Sequence, residues 1–360
     1  MLSLKTKNIR ERLLELAREI GPGGALPPAR ALRERLDTSN ATLSAALDEL
    51  AARGQVLRKP GSGIYISPTL DQRRLALAVN PEFFAQAGVS PFWGQLLLET
   101  RRRAEARGEA LFLHFAERSI RESEPLLPPG LTEEVCKGRL AGIIAIGLTH
   151  AQTRWIEAQG VPVVAFAGAA RYLVQLAMEE LVQSGVAALA RSGCQRLALL
   201  SPTENPQASI PFRAACTAHR LAGQVLASTE PPSYAARGWA LADQVLSAPC
   251  DGVLSLDDTL TQGFLMHLHH TNRLAQITVA THANTGSPTL LGWEDRLIRL
   301  EFDPAAIVSG LFSCLDALIA GTVLPSTQLI GDAGFPPVYS EPIHALTLSP
   351  TLILPQENQP

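Results

Sequence analysis

From residue 75 onward, short apolar runs alternate with segments of helical periodicity. Residues 142–146 and 161–166 are two such runs, and a helical pattern lies between them. This alternation predicts parallel β-sheets covered by helices on both faces, because strands buried on both sides read as continuous apolar runs. The units are too numerous for one small sheet. The pattern therefore predicts an α/β body made of two similar lobes.

The same patterns place the individual elements of the body. Strands are predicted at 75–79, 111–115, 142–146, 161–166, 196–200, 224–228, 252–256 and 277–280. Helices are predicted at 92–107, 174–192, 211–222, 234–247 and 259–272, and Asp258 is expected to cap the last of them. Residues 336–360 are rich in proline and predicted to form a tail, in which 345–348 and 352–354 are candidate edge strands.

The first 67 residues follow a different pattern, with three helical segments and then a hairpin. Apolar residues recur at helical spacing over 9–20, a second helix is predicted to begin at Pro27-Pro28, and a third follows the turn 37–39. Residues 55–59 and 64–67 are predicted to pair around a Gly-Ser-Gly tip. This is the layout of a winged helix-turn-helix domain: two helices, a turn, a third helix and a β-ribbon.

Charge is distributed unevenly along the chain. Residues 1–70 contain eleven Lys/Arg and seven Asp/Glu, a formal charge of +4, so the remainder carries −7 of the total of −3. A basic head on an acidic body predicts a polyanionic partner for the head alone. Arg58 and Lys59 place positive charge in the predicted wing, and the glycine at its tip would let the backbone approach DNA phosphates closely.

Several other classes of protein are not indicated. The five cysteines are scattered without a CxxC pair, which fits a reducing compartment and no structural zinc. No apolar run reaches the roughly 18 residues of a membrane span, so a cytoplasmic protein without a membrane partner is predicted. His267, His269 and His270 lack a nearby cysteine or paired acid, and they are expected to form a polar helix surface rather than a metal site. No cofactor is predicted.

The stretch LPPARALRERLDTSNATLSAALDELAARGQVLRKPGSGIYIS carries a family pattern in its proline pair, its central Thr-Leu and Ala-Leu pairs and its closing PGSG. It resembles the DNA-binding domain of GntR-type transcription regulators. The resemblance implies that Arg30 holds a phosphate, that the third helix reads bases, and that Gly61 lies by the minor groove. Small polar side chains on the outward face of that helix can reach base edges. The predicted DNA-binding residues are Arg30, Ser39, Asn40, Thr42, Ser44, Arg58, Lys59 and Gly61.

The recognition helix departs from the family pattern at two positions. Asn40 and Ser44 stand where the family often has arginine. Asparagine pairs bidentately with adenine, whereas arginine prefers guanine. The operator is therefore expected to differ from the common sites of the family.

Six segments follow one another in the body: GRLAGIIAIG, GVPVVAF, LARSGCQRLALL, PFRAAC, CDGVLSLDDTLTQG and EFDPAAIVSGLFSCLDALIAG. Together they resemble the periplasmic-binding-protein-like sensor of LacI-type repressors. The expected fold class is α/β, a winged helix-turn-helix followed by a two-lobed domain with parallel sheets. The predicted divisions are a DNA-binding domain at 1–67, a linker at 68–73, an effector-binding and dimerisation domain at 74–335, and the tail at 336–360.

The second resemblance implies an effector site in the cleft between the lobes, outside the carboxyl ends of the strands. Two acids that the family often places there are absent, one near His282 and one where Ala167-Gly168-Ala169 follows a strand. The effector is expected to be a sugar or sugar derivative, less polar or differently decorated, or else another kind of molecule. The predicted effector-binding residues are Asn80, Phe92, Trp93, Arg213, Asp257, His282 and Asn284.

These expectations combine into one function, a DNA-binding transcription regulator, and in particular a repressor. It would bind a palindromic double-stranded operator as a homodimer, because one small module buries too little surface to be specific. A second hypothesis keeps the DNA-binding head but makes the body a degenerate sensor, used only for dimerisation or protein docking. An enzyme is not predicted: a pyridoxal-phosphate body would need a Schiff-base lysine, and Lys137 is the only lysine outside the head.

Overall fold

A computed structural model describes residues 4–85, 90–117, 126–322 and 344–355, and its N-terminal head has three helices and a two-stranded antiparallel ribbon. The elements of the head are α1 (Leu4–Ile20), α2 (Ala29–Leu36), α3 (Asn40–Ala52), β1 (Val56–Lys59) and β2 (Gly63–Ile66). The winged helix-turn-helix layout predicted from periodicity is confirmed.

The core of the head is built from leucines that recur at helical spacing. Leu13, Leu32, Leu43 and Leu50 come from the three helices and are fully buried together with Ile66 of β2. Their burial leaves the N-terminal face of α3 and the tip of the ribbon in solvent. The head therefore presents its polar elements outward from a closed core.

The first lobe is a six-stranded parallel sheet with helices on both faces. Its strands are β3 (Arg74–Val79), β4 (Ala110–Phe115), β5 (Gly142–Ile146), β6 (Val163–Phe166), β7 (Tyr172–Leu176) and β13 (His344–Leu348), in the order β13-β7-β6-β5-β3-β4. Its helices are α4 (Glu82–Ala85), α5 (Phe92–Ala106), α6 (Pro129–Cys136), α7 (His150–Ala158) and α12 (Pro304–Ile319).

The second lobe is a second six-stranded sheet, parallel except at one edge. Its strands are β8 (Arg196–Ser201), β9 (Ala222–Ala227), β10 (Gly252–Ser255), β11 (Thr278–Asn284), β12 (Leu297–Phe302) and β14 (Thr351–Ile353), in the order β14-β12-β11-β10-β8-β9, with β14 antiparallel. Its helices are α8 (Met178–Arg191), α9 (Pro206–His219), α10 (Tyr234–Ser247) and α11 (Asp258–His270).

The described chain passes between the lobes at three points: from β7 to α8, from β12 to α12, and from β13 to β14. Helix α12 follows the second lobe in sequence but packs into the first, where Ile307, Leu311 and Leu315 are fully buried. The predicted two-lobed α/β fold is confirmed. The lobes share short connections, which is the arrangement of a hinge.

Three predicted elements of the body were wrong in extent. The helix predicted at 174–192 begins only at Met178, because Tyr172–Leu176 pairs with β6 and β13 as a strand. The helix predicted to begin at 211 begins at Pro206. The strand predicted at 277–280 continues to Asn284, so His282 lies within it rather than in the following loop.

The segment predicted as a tail belongs partly to the body. Strand β13 extends the first sheet and β14 extends the second, so 344–353 supplies an edge strand to each lobe. Their pairing partners, β7 and β12, lie far away in sequence, which is why composition alone indicated a tail. None of the described helices is both long and apolar enough to cross a bilayer.

Candidate DNA-binding surface and effector cleft

The N-terminal part of α3 is exposed and carries most of the predicted base-reading side chains. Asn40 and Ser44 are exposed on this face, whereas Leu43 is buried against the core. Ser39 is the N-cap of the helix, and its Oγ accepts a hydrogen bond from the backbone N–H of Thr42 at 3.2 Å. Ser39 and Thr42 therefore stabilise the start of α3, while Asn40 and Ser44 stay exposed on the face that was predicted to read bases.

The wing is attached to α3 by an ion pair. Arg58 Nη2 lies 2.8 Å from Asp48 Oδ1 on α3. The Lys59 ammonium lies 4.6 Å from the centre of the Tyr65 ring, on the neighbouring strand. Gly61 at the tip has a φ of +72° and is exposed, which suits a close approach of backbone to a phosphate. Asp48 and Tyr65, which position the two wing cations, were not singled out from the sequence.

Arg30 lies in the first turn of α2 with its side chain almost wholly in solvent. Its Nε donates to Glu34 Oε1 at 3.2 Å, an exposed pair that a phosphate can displace at little cost. An open depression of about 420 Å³ lies nearby, beside the start of α3. It is lined by Lys5, Arg33, Glu34, Asp37, Thr38 and Ser39.

The two lobes touch where the carboxyl ends of their central strands face each other. Gln95 on α5 of the first lobe donates from Nε2 to the carbonyl oxygen of Gly286, just after β11 of the second lobe, at 2.8 Å. This hydrogen bond spans the cleft between the lobes. Gln95 was not predicted as a site residue, because glutamine on a helix surface carries no distinguishing pattern.

The first-lobe wall of the cleft is aromatic. Phe83 and Trp93 lie with ring centroids 4.2 Å apart, and Phe92 contacts the same indole at 5.0 Å. Phe92 itself is buried in the core, so Trp93 is the more accessible of the two predicted aromatic residues. Asn80 is also buried, and its Oδ1 accepts from the backbone N–H of Glu82 at 2.9 Å. Asn80 therefore shapes the loop after β3.

Two adjacent aspartates begin α11, and their roles are the reverse of the prediction. Asp257 is the N-cap, because its Oδ1 accepts from the backbone N–H of Leu260 at 2.7 Å. Asp258, which was expected to cap the helix, is buried instead. Its Oδ2 accepts from Asn284 Nδ2 at 3.4 Å and from Ser287 Oγ at 3.3 Å. The prediction was wrong because the spacing of apolar residues fixes the N-terminal boundary of a helix only to within one or two residues.

Asp257 and its neighbours have shifted protonation equilibria. Burial, and then the neighbouring Asp258 carboxylate, raise the pKa of Asp257 to about 7. Burial also raises the pKa of the Tyr234 phenol, and the Asp257 charge adds to that rise.

The Arg237 guanidinium lies 4.9 Å from the Tyr234 ring and is itself buried. It donates to the carbonyl oxygens of Pro202, Pro231 and Pro232. Tyr234 and Arg237 were missed because neither belongs to a recognisable motif.

The end of β11 holds polar atoms that have no partner among the described residues. These are both ring nitrogens of His282 and the Oδ1 of Asn284. Burial lowers the pKa of His282, and the Asp258 charge offsets part of that effect. Arg299 and Glu301 on the neighbouring strand form an ion pair at 2.5 Å. A cavity of about 50 Å³ adjoins them, lined by Asp258, Ala283, Asn284, Gly286, Ser287, Leu290, Glu294, Arg299 and Glu301.

Arg213 is not brought to this group. It lies on α9 with an exposed side chain, and no contact joins it to Asp257, His282 or Asn284 in the described part of the chain. The structure thus brings Asp257, His282 and Asn284 together around Asp258. Asn80, Phe92 and Trp93 lie in the first lobe.

The histidines at the end of α11 differ from one another. His269 and His270 are exposed, but His267 is buried, which corrects its prediction as part of a polar surface. Its Nε2 lies 3.3 Å from Asp243 Oδ1, and its ring meets Trp239 edge to face. Over the described ranges, no three His, Cys, Asp or Glu side chains come together as a potential metal site.

The comparisons with known proteins divide the chain in the same way as its fold. Residues 5–66 match the model of bacterial regulatory proteins of the gntR family. A regulatory protein of the LacI family from Chloroflexus aggregans has a similar structure, with a TM-score of 0.61 at 14% identity over 78% of this chain and 97% of that one.

Two further solved structures are similar at comparable levels. A periplasmic binding protein/LacI transcriptional regulator from Alkaliphilus metalliredigens, complexed with D-xylulofuranose, has a TM-score of 0.58 at 14% identity, over 78% of this chain and 97% of that one. The lac repressor dimer bound to operator and an anti-inducer has a TM-score of 0.54 at 16% identity, over 70% of this chain and 88% of that one. The chain therefore joins a head that matches the gntR family of bacterial regulatory proteins to a body with the fold of LacI-type regulators.

Proposed function

We propose that the chain is a transcription regulator whose affinity for an operator is set by a small molecule held between its two lobes. The observation that carries this proposal is the head itself. An exposed polar helix face lies beside a cationic wing with a glycine tip, within the segment that matches the gntR family. Phosphate contacts from the wing and Arg30 would position the head, and Asn40 and Ser44 would read bases.

The remaining features of the proposal follow from the same geometry. Two heads on a two-fold axis would read a palindromic operator, as half-sites one helical turn apart require. The body, bounded at about 74, would supply both the dimer contacts and the effector site, with repression as the outcome. Around the cleft, Trp93 gives an aromatic wall, and Asp257, His282 and Asn284 give polar groups. This combination suits a sugar or a sugar derivative with one apolar face.

The experiment is a titration of double-stranded fragments from the chain's own promoter region at several salt concentrations. Affinity should fall linearly on a double-logarithmic plot against salt, because bound phosphates release counterions. Arg30→Ala should weaken binding to every sequence by a similar factor and reduce the salt slope by about one. Arg102→Ala, an exposed arginine of α5, is the matched control and should change neither quantity. Salt-independent or absent binding would contradict the proposal.

Asn40→Ala should act on specificity instead. Loss of one bidentate base contact should cost about 1–3 kcal/mol at one operator position and leave nonspecific affinity unchanged. The measurement is a comparison of operator variants, each with one base pair replaced, for the wild type and the variant. Equal loss of specific and nonspecific binding would show that Asn40 contacts the backbone rather than a base.

One observation favours the second candidate, a body used only for dimerisation or docking. The cavity beside Asp258 is only about 50 Å³, far below the roughly 300–1,000 Å³ of typical ligand pockets. A sugar therefore requires the Gln95–Gly286 contact to open. Thermal shift with a panel of sugars and sugar phosphates separates the candidates, because a ligand at a hundred times its Kd stabilises the protein by about 2.7 kcal/mol. A stabilising compound supports the sensor, and no shift with any compound supports the platform.

A further inference from the structure

The head contacts the body through the far end of its recognition helix. Arg139, between α6 and β5 of the first lobe, donates from Nη2 to the carbonyl oxygen of Ala51 at 3.2 Å. Its Nε donates to the carbonyl oxygen of Ala52. These are the last carbonyls of α3 and lie at the negative end of its dipole. The Ala51 oxygen also accepts from the backbone N–H of Gly54 at 3.0 Å. A guanidinium fork suits this position because its donors are arranged in one plane.

Arg139 is itself held by a partly buried acid. Its Nη1 donates to Glu134 Oε1 at 2.8 Å, and the other oxygen of that carboxylate accepts from Arg74 Nη2 at 2.7 Å. The three side chains are only 14–17% exposed. Burial raises the pKa of Glu134, but the hydrogen bonds from Arg139 and Arg74 outweigh it and hold the pKa below its usual value. Glu134 is therefore charged at neutral pH, and both arginines remain oriented.

Arg74 connects this network of side chains to the head and to the segment that follows it. It begins β3, and its Nη1 donates to Thr69 Oγ1 in the segment that joins head and body, at 3.1 Å. The same nitrogen lies 3.5 Å from where a Cβ of Gly54 would be. Gly54 ends α3 with a φ of +68°, a conformation that favours glycine. The preceding Arg73 is anchored to the first lobe by ion pairs with Glu109 and Asp316.

We propose that Arg139 is a positioning residue for DNA recognition: with Glu134 and Arg74 it docks the head on the first lobe through the C-terminal end of α3. The head then moves with that lobe as one body instead of swinging on residues 68–73. The consequence of this docking for regulation rests on the proposed function. If α3 reads bases, a rotation of the first lobe would turn its base-reading face relative to the DNA. The docking itself does not depend on DNA or an effector.

The test measures the distance between head and lobe directly in the full chain. Spin labels are placed on non-natural residues at positions 15 and 159, both exposed, and pulsed dipolar spectroscopy gives the distribution of distances. The labelled chain with Arg139, Glu134 and Arg74 intact should give one narrow distribution of distances. Arg139→Met should broaden it by about 10 Å, since a flexible six-residue linker has a root-mean-square span of roughly 12–15 Å. Arg102→Met removes the same charge from an exposed site of the first lobe and should leave the distribution narrow.

Two further variants separate charge from hydrogen-bond geometry. Arg139→Lys keeps the charge but loses the planar fork, and it should broaden the distribution less than Arg139→Met. Glu134→Gln should broaden it as well, because it releases both arginines. A second label pair within the first lobe reports whether each variant is folded. A broad distribution in the parent chain, or a narrow one in folded Arg139→Met, would overturn the proposal. Neither result would bear on whether the head binds DNA.

Discussion

Gly263→Ala is expected to destabilise the second lobe by about 3 kcal/mol, even though alanine is the better helix former. Gly263 lies in the middle of α11, where a Cβ would come within 1.7 Å of the carbonyl oxygen of Ala235 on α10. The contact is reciprocal, because a Cβ on Gly238 of α10 would lie 1.9 Å from the carbonyl oxygen of Leu260. Two backbones meet here, so no flexible side chain can move aside to make room.

Hydrogen exchange measured peptide by peptide is the suitable readout, because a chain of several domains need not unfold in one step. Protection should fall in α10, α11 and the strands beneath them and remain in the head. Gly94→Ala is the matched control: Gly94 is also helical, and nothing lies within 4 Å of its Cβ position. That variant should be neutral or slightly stabilising. Equal behaviour of the two variants would refute close backbone packing between α10 and α11.

Asp257→Asn is expected to remove a large pH dependence of stability. The folded-state pKa of Asp257 is about 7, well above the value near 3.9 for an unfolded chain. The folded state therefore holds a proton that the unfolded state has lost, and stability falls as the pH rises from about 4 through 7. Because the carboxyl group still reaches some solvent, we expect about 2 kcal/mol of this loss rather than the full 4 kcal/mol of a three-unit shift.

Asparagine can still accept the hydrogen bond from Leu260 and caps a helix as well as aspartate. The variant should thus match the wild type below about pH 4 and exceed it in stability near pH 8. His282 acts in the opposite direction, because its lowered pKa costs stability as the pH falls below 6.5. The difference between variant and wild type at each pH isolates Asp257. Asp303→Asn, at the exposed N-cap of α12, is the control for exchanging a capping carboxylate for an amide. A flat difference for Asp257→Asn would contradict the assignment.

Local patterns in the sequence predicted the fold of the head almost completely. Leu13, Leu32, Leu43 and Leu50 belong to apolar stripes of three helices that are close together in sequence and pack on one another. Gly61 marks a turn that needs a positive φ. The lobes were predictable for a related reason, since a doubly covered strand is apolar throughout. The strand Tyr172–Leu176 was not, because it pairs with β6 on one side and on the other with β13, which lies about 170 residues later.

The candidate cleft was predictable only in outline. The end of β11 could be recognised as a site position, but the exchange of roles between Asp257 and Asp258 depends on where the first turn of α11 closes. Gln95 comes from α5, and Tyr234 and Arg237 come from α10, so only the tertiary fold brings these residues near one another. The contact of Arg139 with the end of α3 is of the same kind. No spacing in the sequence links an arginine of the first lobe to the last carbonyls of a helix in the head.

The exchange of segments between the lobes has a consequence for how the protein is made. The core of the first lobe needs α12 and its sheet needs β13, while the second lobe needs β14, so each lobe lacks a part until residues 344–353 have been synthesised. The head has no such requirement and can fold as soon as it leaves the ribosome. During elongation, a folded DNA-binding module would therefore precede two unfinished lobes with open sheet edges. Nascent chains at this stage are where chaperones would be needed most.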